Sequence, residues 1–80
     1  MSKLFKVSVK GFTYLRDYAA LTVSIDNTIQ KVIIGTKSDF PMTEMFTLKQ
    51  AGSVELEERE SKEVNGVKYR NFRLLSINFD

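Results

Sequence analysis

The sequence predicts an all-β domain of five strands with one short helical turn between the third and fourth. Three observations carry this expectation: apolar residues recur at every second position in several separate runs, glycine or Asx residues break those runs, and the segment after Pro41 switches to a spacing of three and four. Eighty residues leave room for a single domain, 1–80, built on one core.

In the first run Phe5, Val7 and Val9 alternate with Lys6, Ser8 and Lys10, the period of a half-buried strand. The alternation breaks at Gly11 and resumes as Phe12, Tyr14 and Arg16 against Thr13 and Leu15, which predicts a bulge or sharp bend. Leu21, Val23 and Ile25 mark the second strand, and Asp26-Asn27 supplies the left-handed conformations of a tight turn. The third strand, Ile29 to Ile34, contains the apolar run Val32-Ile33-Ile34 and is expected to stop at Gly35, buried on both faces.

After Pro41, the residues Met42, Met45, Phe46 and Lys49 fall at helical spacing and predict a helical turn over Thr43 to Lys49. Val54 and Leu56 alternate with Glu55 and Glu57 in a fourth strand. Asn65-Gly66 is a strong two-residue hairpin signal, leading into a fifth strand over Val67 to Phe79. In that last strand Tyr69, Leu75, Ile77 and Phe79 share one parity and Phe72 and Leu74 the other. Five strands in this order, with a glycine interrupting the first, match a small, partly open OB-fold-like barrel; an SH3-like barrel is the nearest competitor.

Composition narrows the function. The chain has no cysteine and no histidine, so disulfides are excluded and only carboxylates remain as strong metal ligands. A core this small gains stability readily from a second subunit, so a homodimer is expected. No apolar stretch has the length of a signal peptide or a membrane span, and the expectation is a protein of the cytoplasm with no membrane association.

Net charge is +2, but Ser53 to Glu63 carries a balance of −3 and the remainder +5. One basic surface and one acidic strand follow, a distribution that suits a polyanion binder.

The inventory for catalysis is poor. There is no histidine base, no cysteine nucleophile, no glycine-rich phosphate loop and no metal-ligand spacing, so no enzyme, metal or cofactor is expected. The cluster Glu55, Glu57, Glu58 and Glu60 is accounted for by a solvated strand face.

For binding, aromatic and basic residues interleave twice, over Lys10 to Tyr18 and over Lys68 to Arg73. Unpaired bases stack on aromatic rings while Lys and Arg neutralise phosphates, so the partner this mixture suits is single-stranded DNA or RNA. The candidate contacts are Lys10, Arg16, Lys31, Arg70 and Arg73 for phosphate, and Phe12, Tyr14, Tyr18 and Phe72 for bases. A second reading is a small β-barrel interaction module or inhibitor that meets a basic partner through the acidic strand.

The run Lys10-Gly11-Phe12-Thr13-Tyr14, and the later succession Ala51-Gly52-Ser53, strand, Asn65-Gly66, strand, resemble the single-stranded DNA-binding proteins of filamentous phages. Chain length, absent cysteine and strand order agree. The resemblance implies a homodimeric OB-fold that coats DNA during phage replication in the host cytoplasm, without strong sequence preference. It implies that Tyr14 is a base-stacking ring with Lys10 and Arg16 as its phosphate contacts, and that Arg70 and Phe72 add contacts from the last strand.

Overall fold

The computed structural model describes residues 3–79. Five strands, β1 (Leu4–Leu15), β2 (Tyr18–Ile25), β3 (Thr28–Thr36), β4 (Ser53–Val64) and β5 (Val67–Asn78), form a closed barrel, with helix α1 (Met42–Gln50) between β3 and β4. The order around the wall is β1-β2-β3-β5-β4. All neighbours are antiparallel except β3 and β5, which are parallel. This is an all-β, OB-like arrangement.

Local chemistry accounts for each turn. Asp26 and Asn27 sit at φ 50° and 65°, and Asn65 and Gly66 at 52° and 79°, so both hairpins use consecutive left-handed residues that match the twist of their strands. The β1–β2 turn is less ordinary, because Arg16 occupies φ 55° with a full side chain.

β1 is one continuous strand, and its irregularity falls between Val9 and Gly11, where Lys10 is the extra residue. Gly11 itself is not in a left-handed conformation and a Cβ there would meet nothing within 4 Å. The expected bulge exists, but its cause is not a conformation that only glycine adopts.

β3 runs two residues past its expected end. Gly35, at φ 152°, pairs with Ala19 and lies beneath the ring of Phe40, where a Cβ would come within 2.7 Å of Phe40 Cε2. Here glycine is required by both backbone and space.

The core is a single cluster inside the barrel, including Val7, Leu21, Val23, Val32, Ile34, Val54, Leu56 and Phe72. Met45 and Leu48 of α1 plug one mouth. The helix carries Glu44 in its first turn and Lys49 in its last, both complementing its dipole. Met42 and Phe46 are exposed, although Phe46 meets Phe12 edge-on with ring centroids 5.3 Å apart.

A second irregularity reconciles the two parities of β5. Leu56 pairs with Leu74 and Glu55 with Ser76, which leaves Leu75 as the extra residue. Leu74 and Ile77, on opposite sides by simple alternation, therefore both pack on the core while Leu75 is exposed.

The ring closes through a narrow seam. β3 and β5 pair only at Val32↔Arg70 and Ile33↔Asn71, so the wall is closed where a partly open one was expected, but by the shortest of its five ladders. Among the described residues, no helix is long and apolar enough to cross a membrane.

Candidate nucleic-acid interface

Strand alternation divides the expected contacts between the two sides of the wall. Phe72 shares its side with Leu74 and the rest of the core and is only 2% exposed. Its ring packs edge-on against Phe5 at 5.7 Å, so the expectation that it stacks on a base is corrected: it is a core residue.

Arg70 lies two positions from Phe72 and shares its inward parity. Its Nε donates to Glu58 Oε2 at 2.9 Å and its Nη1 to Gln30 Oε1 at 3.3 Å. Its guanidinium carbon stands 5.3 Å from the Phe5 ring centre and 5.1 Å from that of Phe72. Arg70 caps the core at the barrel end nearest Phe5, and its expected phosphate contact is corrected to a structural one. The guanidinium hydrogen bond, with its charge and that of nearby Lys3, holds the Glu58 carboxyl below the usual glutamate range, although partial burial opposes this.

Phe12 and Tyr14 also turn toward the interior, half-buried, because the extra residue Lys10 resets the alternation of β1. Phe12 rests against α1. The Tyr14 hydroxyl donates to the Phe40 carbonyl at 2.8 Å, and Lys37 Nζ lies 5.2 Å from the centre of its ring. The expected open stacking rings are therefore struts that fix the segment after β3.

The outer face retains Arg16, Tyr18, Lys31 and Arg73. Lys31 pairs with Thr22, which in turn pairs with Gly11, so exposed Lys10 and Lys31 flank Thr22 across three adjacent strands. Arg16 projects from the β1–β2 turn and is exposed. Tyr18 is half-buried, and Lys62 Nζ stands 5.7 Å from the centre of its ring.

Four further residues belong to this face that sequence reasoning passed over: Lys37, Arg59, Lys62 and Asn71. Arg59 pairs with Asn71 and Lys62 with Tyr69, which leaves Glu60 and Ser61 together opposite Arg70, one residue more than a regular ladder holds. Three positions apart, Arg59 and Lys62 would fall on opposite sides of a regular strand. The irregularity brings both to the outside, and their charge is hidden within an acidic run.

These residues line three concavities, two of which share residues. A cleft of about 590 Å³ is lined by Asp17, Tyr18, Thr36, Lys37 and Ser38, where the Lys37 amide donates to the Asp17 carbonyl at 2.7 Å. A second hollow, of about 380 Å³, opens between β3 and β5 and includes Arg59, Lys62, Asn71 and Arg73. A third, of about 370 Å³, shares Arg59, Lys62 and Asn71 with it.

No protein-family model matches this chain, and neither a curated protein nor a solved structure is significantly similar to it.

The electrostatics of the face follow from what is paired. Among the described residues, Arg70–Glu58 is the one ion pair within 4.0 Å, so the outer cations are not neutralised by described carboxylates at contact distance. The acidic run is interrupted by cations across its neighbours: Glu55 pairs with Lys6 of β1, and Glu57 with Arg73 of β5. Glu58 is held by Arg70. The strand carries alternating signs in space more than a continuous acidic patch.

Proposed function

We propose that the protein binds single-stranded nucleic acid, DNA in the first instance, across the outer face of β2, β3, β5 and β4 between the β1–β2 turn and the β4–β5 arm. The observation that carries this reading is a pair of hollows on this face, one lined by half-buried Tyr18 and Lys37 and another by Arg59, Lys62 and Arg73, with Lys62 reaching from the second to stand over the Tyr18 ring. OB-type barrels use the corresponding face and loops for oligonucleotides. A ring accepts any base, and cations follow the backbone without reading sequence, so the binding is largely sequence-independent.

The resemblance to phage single-stranded DNA-binding proteins extends the proposal to a homodimer that coats replicating DNA in a host cytoplasm. The deciding experiment is the anisotropy of a fluorescent 15-mer of dT titrated with protein at low and rising salt, beside a duplex control. Binding that favours the single strand and weakens steeply with salt supports the reading; no binding at low salt removes it.

A further inference from the structure

We infer that the hollow between β3 and β5 is a pocket for one nucleobase of the bound strand, with the Asn71 amide as its polar reader. The inference rests on the proposed single-strand binding and names a subsite within that face.

The pocket exists because the seam is short. Beyond Ile33↔Asn71 the two parallel strands cease to pair, and the space between them is about 380 Å³, within the range of small-molecule sites. Its apolar surface is given by half-buried Phe40 and Leu74, with Ile34 and Phe72 of the core behind them. Its rim is polar: Asn71 stands beside Arg59, Lys62 and Arg73, with Asp39 opposite.

That combination fits a base attached to a phosphodiester. A flat, mostly apolar ring is taken out of water against Leu74 and Phe40, and an amide offers both donor and acceptor to the polar edge of any base. The three cations lie where the flanking phosphates leave the pocket, while Asp39 is already engaged as acceptor of the Thr36 hydroxyl at 2.8 Å. The pocket wall is fixed before ligand arrives: the Phe40 carbonyl is held by Tyr14 and the Phe40 ring sits over Gly35. Neither strut spends ordering entropy at the moment of binding.

The test is an NMR titration of the labelled full chain with the dT 15-mer, followed by the same titration with dTMP. The expected result is intermolecular NOEs between thymine protons and both the Leu74 methyl groups and the Phe40 ring, with a shift of the Asn71 side-chain amide. If the 15-mer binds and these groups neither shift nor show NOEs, the pocket is not a base site. If the 15-mer fails to bind while dTMP still moves the same groups, the pocket stands and the single-strand reading falls. If the 15-mer does not bind and dTMP moves none of them, both fall.

Asn71→Leu keeps the volume and removes the amide. Its affinity for the 15-mer is expected to fall about 3- to 10-fold, the loss of one hydrogen-bonding partner, with the salt slope unchanged because no charge is lost. Unaltered affinity, or a reduced slope, would overturn the assignment.

Discussion

The hydroxyl of Tyr14 donates a 2.8 Å hydrogen bond to the carbonyl of Phe40, tying the middle of the chain to its first strand. Tyr14→Phe removes that bond and keeps the ring. A loss of about 1 kcal/mol is expected, seen as a melting temperature lower by roughly 4–8 °C. Affinity for the dT 15-mer should change far less than in Tyr18→Ala, where losing a stacking platform costs about 1–3 kcal/mol. Comparable losses of affinity in the two variants would place Tyr14 back among the stacking rings.

Arg70 and Arg73 should separate stability from binding. Arg70→Ala loses an ion pair and two ring contacts and is expected to cost about 1–2 kcal/mol of stability, leaving the salt slope of binding intact. Arg73→Ala should do the reverse, lowering the slope by about 0.7 with little change in melting temperature. Urea unfolding and salt-series anisotropy on the same pair of variants check both halves.

Glu58 gives the pair a pH signature. Its folded-state pKa is depressed, so the stabilisation is complete above the ordinary glutamate range and drains away as pH falls through the lower folded value. The stability difference between wild type and Glu58→Gln should therefore be present at pH 7 and shrink toward pH 3. A difference in urea midpoint that stays constant with pH would contradict this.

Gly35→Ala meets two obstacles at once, a φ of 152° and the Phe40 ring 2.7 Å from the new Cβ. A destabilisation of about 1–3 kcal/mol is expected, measured by thermal melting. Gly11→Ala, with open space and no left-handed backbone, should be close to neutral by the same measurement.

Most of the fold is legible in the chain because each element states its own period. Val7, Val23 and Val54 lie where alternation puts them, and Asn65-Gly66 makes the turn its chemistry demands. What alternation does not reveal is where a strand takes in an extra residue. Lys10, Leu75 and the pair Glu60-Ser61 each do so, and every misplaced side chain follows from one of these or from parity not carried through. Tyr14 turned inward after Lys10, and Arg59 and Lys62 came to one side after Glu60-Ser61. Arg70 was readable in principle, since it shares the parity of Phe72. Its charge drew attention to solvent, whereas Glu58 and Gln30 supply partners at the barrel mouth that lie far away in the chain.

The two-rung junction of β3 with β5 divides the wall into leaves that assemble by different routes. The β1-to-β3 meander and the β4–β5 hairpin each form from strands adjacent in sequence, whereas Val32 and Arg70 must find each other across a long loop. That zip joins residues far apart in the chain and is the shortest ladder of the finished cylinder. A polynucleotide lying across both leaves would clasp them together, so occupancy would be felt as mechanical reinforcement of the barrel as well as cover for the strand it holds.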